Sequence, residues 1–317
     1  MVSELQKAAQ IAVKDCLGIK TGEQVVIIAD EPSRKIAKVL WEEAKNLGAE
    51  AIYVEIIQRS NHGEEPPKAV AELMKAADVF IAPTSKSLSH TRARREANQA
   101  GTRGATLPGI TEEIMKRTLT ADYQKIKKRS IEYAEKLTRG KEVRIVTEAG
   151  TDITMSIDGR EAHPDTGIYT EAGVFGNLPA GEAYIAPVEG TAEGVIVVDG
   201  AMAGIGVLDE PIKMKVEKGY VTEITGGKGA KKLEELLAKY GKDARNIAEL
   251  GIGTNDQAII TGNVLEDEKV MGTVHIAIGD NKSFGGKIEV DSHLDGIINK
   301  PDLYIDGEKI MEKGKLL

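Results

Sequence analysis

Apolar positions change their spacing partway along the chain, from helices and strands in alternation to a succession of strands. Ser3 followed by Gln6 has the form of a capping box and predicts a helix to about Leu17, stopped by Gly18. The run QVVIIAD then predicts a strand. Ile36, Val39, Leu40, Ala44 and Leu47 recur at helical spacing, and Gly48 closes that helix before the strand AIYVEII. The alternation continues with a helix near Lys68 to Lys75, the strand DVFIAPT, a helix near Thr91 to Ala100, a short GATL strand and an amphipathic helix from Asp122 to Thr138. Such a pattern predicts a mostly parallel sheet flanked by helices.

Arg139-Gly140-Lys141 reads as the linker, dividing the chain into an α/β domain over 1–139 and an α+β domain over 140–317. Beyond it come EVRIVTE, ITMSI, EAYIAPV, GVIVVDG, PIKMKVE and YVTEI, with Lys218-Gly219 and Asp306-Gly307 at hairpin turns. One helix, Lys231 to Tyr240, interrupts them. A length of 317 residues also exceeds the usual ~100–200 per domain, so two domains are expected on size alone.

Composition narrows the class. With 41% hydrophobic and 29% charged residues the chain reads as an ordinary globular protein, and a formal charge of -8 argues against nucleic-acid binding, which needs a basic face. Its apolar runs fall short of a membrane span, and MVSELQKAAQ lacks the apolar stretch of a signal peptide, so a cytoplasmic enzyme is expected. The single cysteine, Cys16, falls on the apolar side of the first helix and reads as core. In SKSLSHTRARREA, a helix start capped by Ser87 or Ser89 would suit an anion, but a solvated basic helix with Arg92 paired to Glu96 is the simpler expectation. GGKGAKK lacks the spacing of a phosphate loop, and Gly251-Ile252-Gly253 does not open a helix, so neither predicts a nucleotide site.

The chemistry is concentrated between Glu249 and Asp295, in ELGIGTND, GTVHIAIGD and DSHLDG. His275 and His293 each sit in a β-type run, and on a strand His293 and Asp295 point the same way, so an imidazole and a carboxylate reach one point. That mixed nitrogen and oxygen set suits zinc, iron, cobalt or manganese. Glu182, after the Pro-Ala-Gly turn of NLPAGEAYIAP, and Glu249, before Gly251 and Gly253, add carboxylates at expected strand mouths. Asp291, two residues before His293, is expected to orient a ligand. His62 and His163 read as loop residues.

In this order NLPAGEAY, ELGIGTN, GTVHIAIG and HLD, with EEPPKAVAELMKAADVFIAPTSKSLSHTRARREA and GTRGATLPGI upstream, resemble the motif series of the aminopeptidase T / aminopeptidase S family of metallopeptidases. The resemblance implies a cytoplasmic, homodimeric aminopeptidase acting on peptides with a free N-terminus. It also implies two divalent metals (zinc, cobalt or manganese) on Glu182, Glu249, His275, His293 and Asp295, with a metal-activated water as nucleophile. Glu182 or Glu249 would then shuttle the proton. The tyrosine ligand that the family carries after its first histidine is missing from Gly279-Asp280-Asn281-Lys282-Ser283-Phe284-Gly285-Gly286. Lys282, Ser283 or Glu268 would have to replace it, or Lys282 would stand as a fixed charge in place of the second metal. The scaffold also resembles the iron-dependent ring-cleaving dioxygenases of dihydroxypyridines, in which His275, His293 and Asp295 would hold a single iron(II). A metal-free ligand-binding protein is the third class.

Overall fold

The computed structural model describes residues 2–317 and separates them into two compact units. The first runs to Lys127 and includes Thr166–Ala180; the second comprises Lys128–Asp165 and Gly181–Leu317. The sequence pattern places one crossing at a linker after Arg139. In the structure the first crossing falls inside the helix Tyr123–Arg139, and the chain later returns to the first unit to add a strand.

That added strand, Phe175–Asn177, completes a five-stranded parallel sheet in the order Glu50–Glu55, Gln24–Ala29, Val79–Ala82, Arg103–Thr106, Phe175–Asn177. Helices Arg34–Asn46, Lys68–Ala76 and Arg92–Gln99 connect its members, so the unit has the α/β class that the alternation predicts. The capping box at Ser3 forms, but the helix it opens is α-helical only to Gln10 and continues as a π-helix over Ile11–Cys16. There the N–H of Leu17 donates to Ala12, five residues back, at 3.0 Å. Cys16 is fully buried.

The basic helix is capped by Thr91, whose hydroxyl accepts from the Arg94 N–H, rather than by Ser87 or Ser89. Glu65 already fills the anion position, accepting the N–H of Arg92 at 2.5 Å and of Ala93 at 3.1 Å. Arg92 pairs with Glu96, as a solvated helix would.

Arg103 is the charged anchor of this unit. Its buried guanidinium donates to Leu17 O at 2.8 Å, Gly18 O at 3.1 Å and both oxygens of Glu23. Burial pushes the Glu23 carboxyl up, but the Arg103 hydrogen bonds outweigh it and hold the group below its ordinary value. A carboxylate depressed in this way stabilises the fold above its unfolded pKa, and that stability is lost as pH falls through the folded value. Arg103→Met is expected to destabilise by about 3 kcal/mol in chemical denaturation at neutral pH, because a buried charge loses its partner. The loss should shrink toward acid pH; an equal loss at all pH values would refute the pairing.

The second unit contains an eight-stranded and a seven-stranded sheet. The seven-stranded one is antiparallel, in the order Gly206–Val207, Ala201–Met202, His293–Asn299, Thr273–Gly279, Ile247–Gly253, Glu182–Ile185, His163–Asp165. Strand alternation sends Ala183, Ile185, Leu250, Ile252, Val274, Ile276 and Ile278 into one core with Val143, Ile145, Ile153 and Ile196 of the other sheet. The helix, at Lys228–Leu237 rather than from Lys231, adds Ala230, Leu233 and Leu237. The opposite face of the seven-stranded sheet is left to carry the polar residues. Among the described residues no helix is long and apolar enough to cross a membrane.

Candidate metal centre

Register brings the five sequence candidates to that polar face. Glu249 pairs opposite Ala277, and Gly251 opposite His275; on the next strand Ala277 pairs with Asp295 and Gly279 with His293. On the other side Gly253 pairs with Glu182, which in turn pairs with Asp165. Directly opposed residues of antiparallel strands point the same way, so Asp165, Glu182, Glu249, His275, His293 and Asp295 share one face. Glu249 is therefore in mid-strand, not at a strand mouth as the sequence suggested.

Two glycines make this face passable. A Cβ on Gly251 would lie 2.0 Å from His275 Nε2, so the bare backbone is what admits the imidazole. A Cβ on Gly253 would lie 2.0 Å from Val270 O, so the same absence lets the backbone at Lys269 and Val270 cross the sheet closely.

The candidates form two overlapping triads, Glu182–Glu249–His275 and Glu249–His293–Asp295, whose ligand atoms lie within 4.8 Å of one another in each. Glu249 belongs to both: its Oε1 is 3.3 Å from His275 Nε2 and its Oε2 is 3.3 Å from His293 Nε2. Glu182 Oε2 stands 3.2 Å from His275 Nε2, and Asp295 Oδ1 stands 3.4 Å from His293 Nε2. Both of those oxygens are buried with no other donor, and His275 Nδ1 is buried without a partner. Unmet buried acceptors cost ~1–3 kcal/mol each, and a cation among them would remove that cost. Carboxylate oxygens and imidazole nitrogens are the donors a borderline divalent metal takes.

Electrostatics agree. Burial would lower the pKa of His275, but the hydrogen bonds and charges of Glu182 and Glu249 reverse it and hold the imidazole well above its ordinary value. His293 behaves likewise against Asp295 and Glu249. Burial would raise Glu249, yet the two imidazoles hold it well below the carboxylate range. Without metal, then, the histidines carry protons because three carboxylates demand positive charge there; a divalent ion would displace those protons.

Further residues belong to the site that the sequence pattern did not mark or placed otherwise. Lys269, fully buried, donates to Glu182 Oε1 at 2.5 Å and to Glu268 Oε1 at 2.6 Å, with Asp165 Oδ2 at 3.6 Å. Burial would lower its pKa, but these acids hold it well above the ordinary lysine value, while burial pushes Glu268 up to about 8. His163 is on a strand, not in a loop, and begins an aromatic row: its ring is 5.4 Å from Tyr184, which is 5.7 Å from Phe284, which stands edge-on 5.8 Å from His293. Phe284 thus occupies the segment where the tyrosine ligand is missing. Lys282 is exposed and paired with Glu289, and Ser283 is exposed, so neither replaces that ligand. Asp291 is exposed ahead of the strand; His293 Nδ1 is fixed instead by Asp280 O at 2.8 Å. A backbone partner of this kind leaves no mark in a side-chain pattern.

Comparison with known proteins decides between the two resemblances. The family model described as NicX: 2,5-dihydroxypyridine 5,6-dioxygenase matches residues 4–317. The 2,5-dihydroxypyridine 5,6-dioxygenase of Pseudomonas putida is 27% identical over 266 residues, spanning 78% of this chain and 73% of that protein. Among solved structures, the 2,5-dihydroxypyridine dioxygenase from Pseudomonas putida KT2440 superposes with a TM-score of 0.87 at 21% identity, covering 100% of this chain and 98% of that one. Wild-type AmpT from Thermus thermophilus gives 0.74 at 18% identity, covering 99% of each. At these identities the two structures establish a shared fold. The aminopeptidase expectation is overturned by the family match, because the model that matches residues 4–317 is the dioxygenase one while AmpT is matched in fold alone. The chain belongs to the 2,5-dihydroxypyridine 5,6-dioxygenase family.

Proposed function

We propose that this protein is a ring-cleaving dioxygenase acting on a small hydroxylated aromatic ring of the dihydroxypyridine kind, with one iron(II) held by His275, His293 and Asp295. The observation that carries the reading is the convergence of two imidazoles, His275 buried and His293 half-buried, on the two oxygens of Glu249, beside Asp295, at the end of a row of aromatic rings. Two imidazoles and one carboxylate are the set of a non-haem iron site, and they leave positions open. Iron, when bound, supplies a place for the hydroxylated ring and dioxygen to meet.

The chain's own residues do the rest. His163, Tyr184 and Phe284 offer ring faces and edges against which a flat aromatic substrate stacks. Glu249, between the imidazoles, orients both Nε2 atoms toward one place. Glu182 keeps one oxygen on Lys269 and turns the other into the site, where it accepts the proton released by a substrate hydroxyl.

The test is oxygen uptake by protein reconstituted with iron(II) under anaerobic conditions and mixed with 2,5-dihydroxypyridine in aerated buffer. Equal consumption of oxygen and ring absorbance is expected. Iron-loaded protein that leaves the ring and several other dihydroxylated rings intact would sink the reading.

A further inference from the structure

We propose that Lys269 is a built-in cation that takes the place of a second metal and so fixes the stoichiometry of the centre at one. The inference rests on the single-metal reading above, but concerns a residue which that reading leaves unexplained. The two triads share Glu249 as a bridging carboxylate would be shared, so the ligand atoms present are enough for a pair of metals. What distinguishes the Glu182 side is an ammonium already in position.

Lys269 is only 2% exposed, and its Nζ is bound by Glu182 at 2.5 Å and Glu268 at 2.6 Å, with Asp165 at 3.6 Å. A buried lysine held by three acids is a fixed positive charge. It occupies Glu182 Oε1, leaving that carboxylate only Oε2 to offer, and it repels a dication brought close by. No lysine or arginine is paired with Asp295 or His293, so the other triad has no resident charge among the ion pairs of the described residues.

The placement has a structural cause. The chain after the helix Val264–Asp267 passes over the polar face where Gly253 has no side chain, and the Asn255 N–H accepts this course by donating to Lys269 O at 2.9 Å. Lys269 is thereby delivered between Asp165 and Glu182 from outside the sheet.

Metal counting tests this without turnover. The protein, cleared of metal, is titrated with manganese(II) or cobalt(II), desalted and analysed by elemental mass spectrometry. The native chain is expected to retain one ion. Lys269→Met, similar in length but neutral, is expected to retain two, Lys269→Arg one, and Lys269→Met combined with Glu182→Gln one again. A folded Lys269→Met protein holding a single ion at saturation would overturn the proposal, as would a native chain holding two. Should the methionine variant not fold, Glu182→Gln alone decides: one ion retained supports the exclusion of Glu182 from metal, and loss of the ion overturns it. Because no substrate or oxygen is involved, a correct count with no ring cleavage would refute the proposed function and leave this inference standing.

Discussion

Asp295→Ala is expected to leave the protein folded and without its metal. Asp295 is buried against His293, with an oxygen that meets no other donor, so its removal takes away a ligand while relieving an unmet acceptor. Those two consequences separate the site from the fold. The metal-free variant is expected to lose no more than ~1 kcal/mol relative to the metal-free native chain, because the His293 imidazole keeps Glu249 as its partner while an acceptor that meets no other donor is removed. Metal affinity should fall by more than the roughly 10–100-fold that loss of an outer partner costs, and ring cleavage should drop to background. Calorimetric titration with manganese(II) measures the first, oxygen uptake the second. An Asp295→Ala protein that binds metal as tightly as the native chain would remove Asp295 from the ligand set. Asp291→Ala, in an exposed residue away from the ligands, should change neither quantity.

The strand alternation that makes this site was legible, and the residues that complete it were not. Period-two spacing in HLD and the histidine inside VHIAI put three of the candidates on strands, and the register then fixes them on one face. The parallel sheet was equally readable from alternating periods, yet its fifth strand was not, since FGN is three residues long and pairs only after the chain has visited the second unit. Lys269 was invisible for a different reason. One lysine among many carries no sign of burial, and the expected substitute charge was sought at Lys282, near the missing tyrosine, whereas the fold supplies it from the segment laid over Gly253. The choice of reaction was not legible either. Apart from the tyrosine, the ligands of the hydrolase reading are all present in this chain, so these donor types alone are compatible with both chemistries.

Gly251→Ala is expected to damage the fold and the metal site together. The new Cβ would sit 2.0 Å from His275 Nε2 and 2.1 Å from its Cε1, and neither partner has somewhere to go: the glycine is in the middle of a fully buried strand, and the imidazole is fully buried between Glu182 and Glu249. Overpacking of this sort costs ~1–3 kcal/mol, and here it also turns the ring away from the carboxylates that keep it charged when metal is absent. The variant is therefore expected to lose about 3 kcal/mol in denaturant unfolding and to bind metal far more weakly. A double-mutant cycle identifies the cause. Removing the ring in Gly251→Ala/His275→Ala should return most of the stability, leaving the pair more stable than Gly251→Ala alone, while metal binding stays impaired because His275 is gone. If the double variant is no more stable than the single, the glycine serves the backbone of its strand and not the imidazole. If it is more stable, the GIG segment exists to let an imidazole and a lysine reach one polar face of an otherwise apolar sheet.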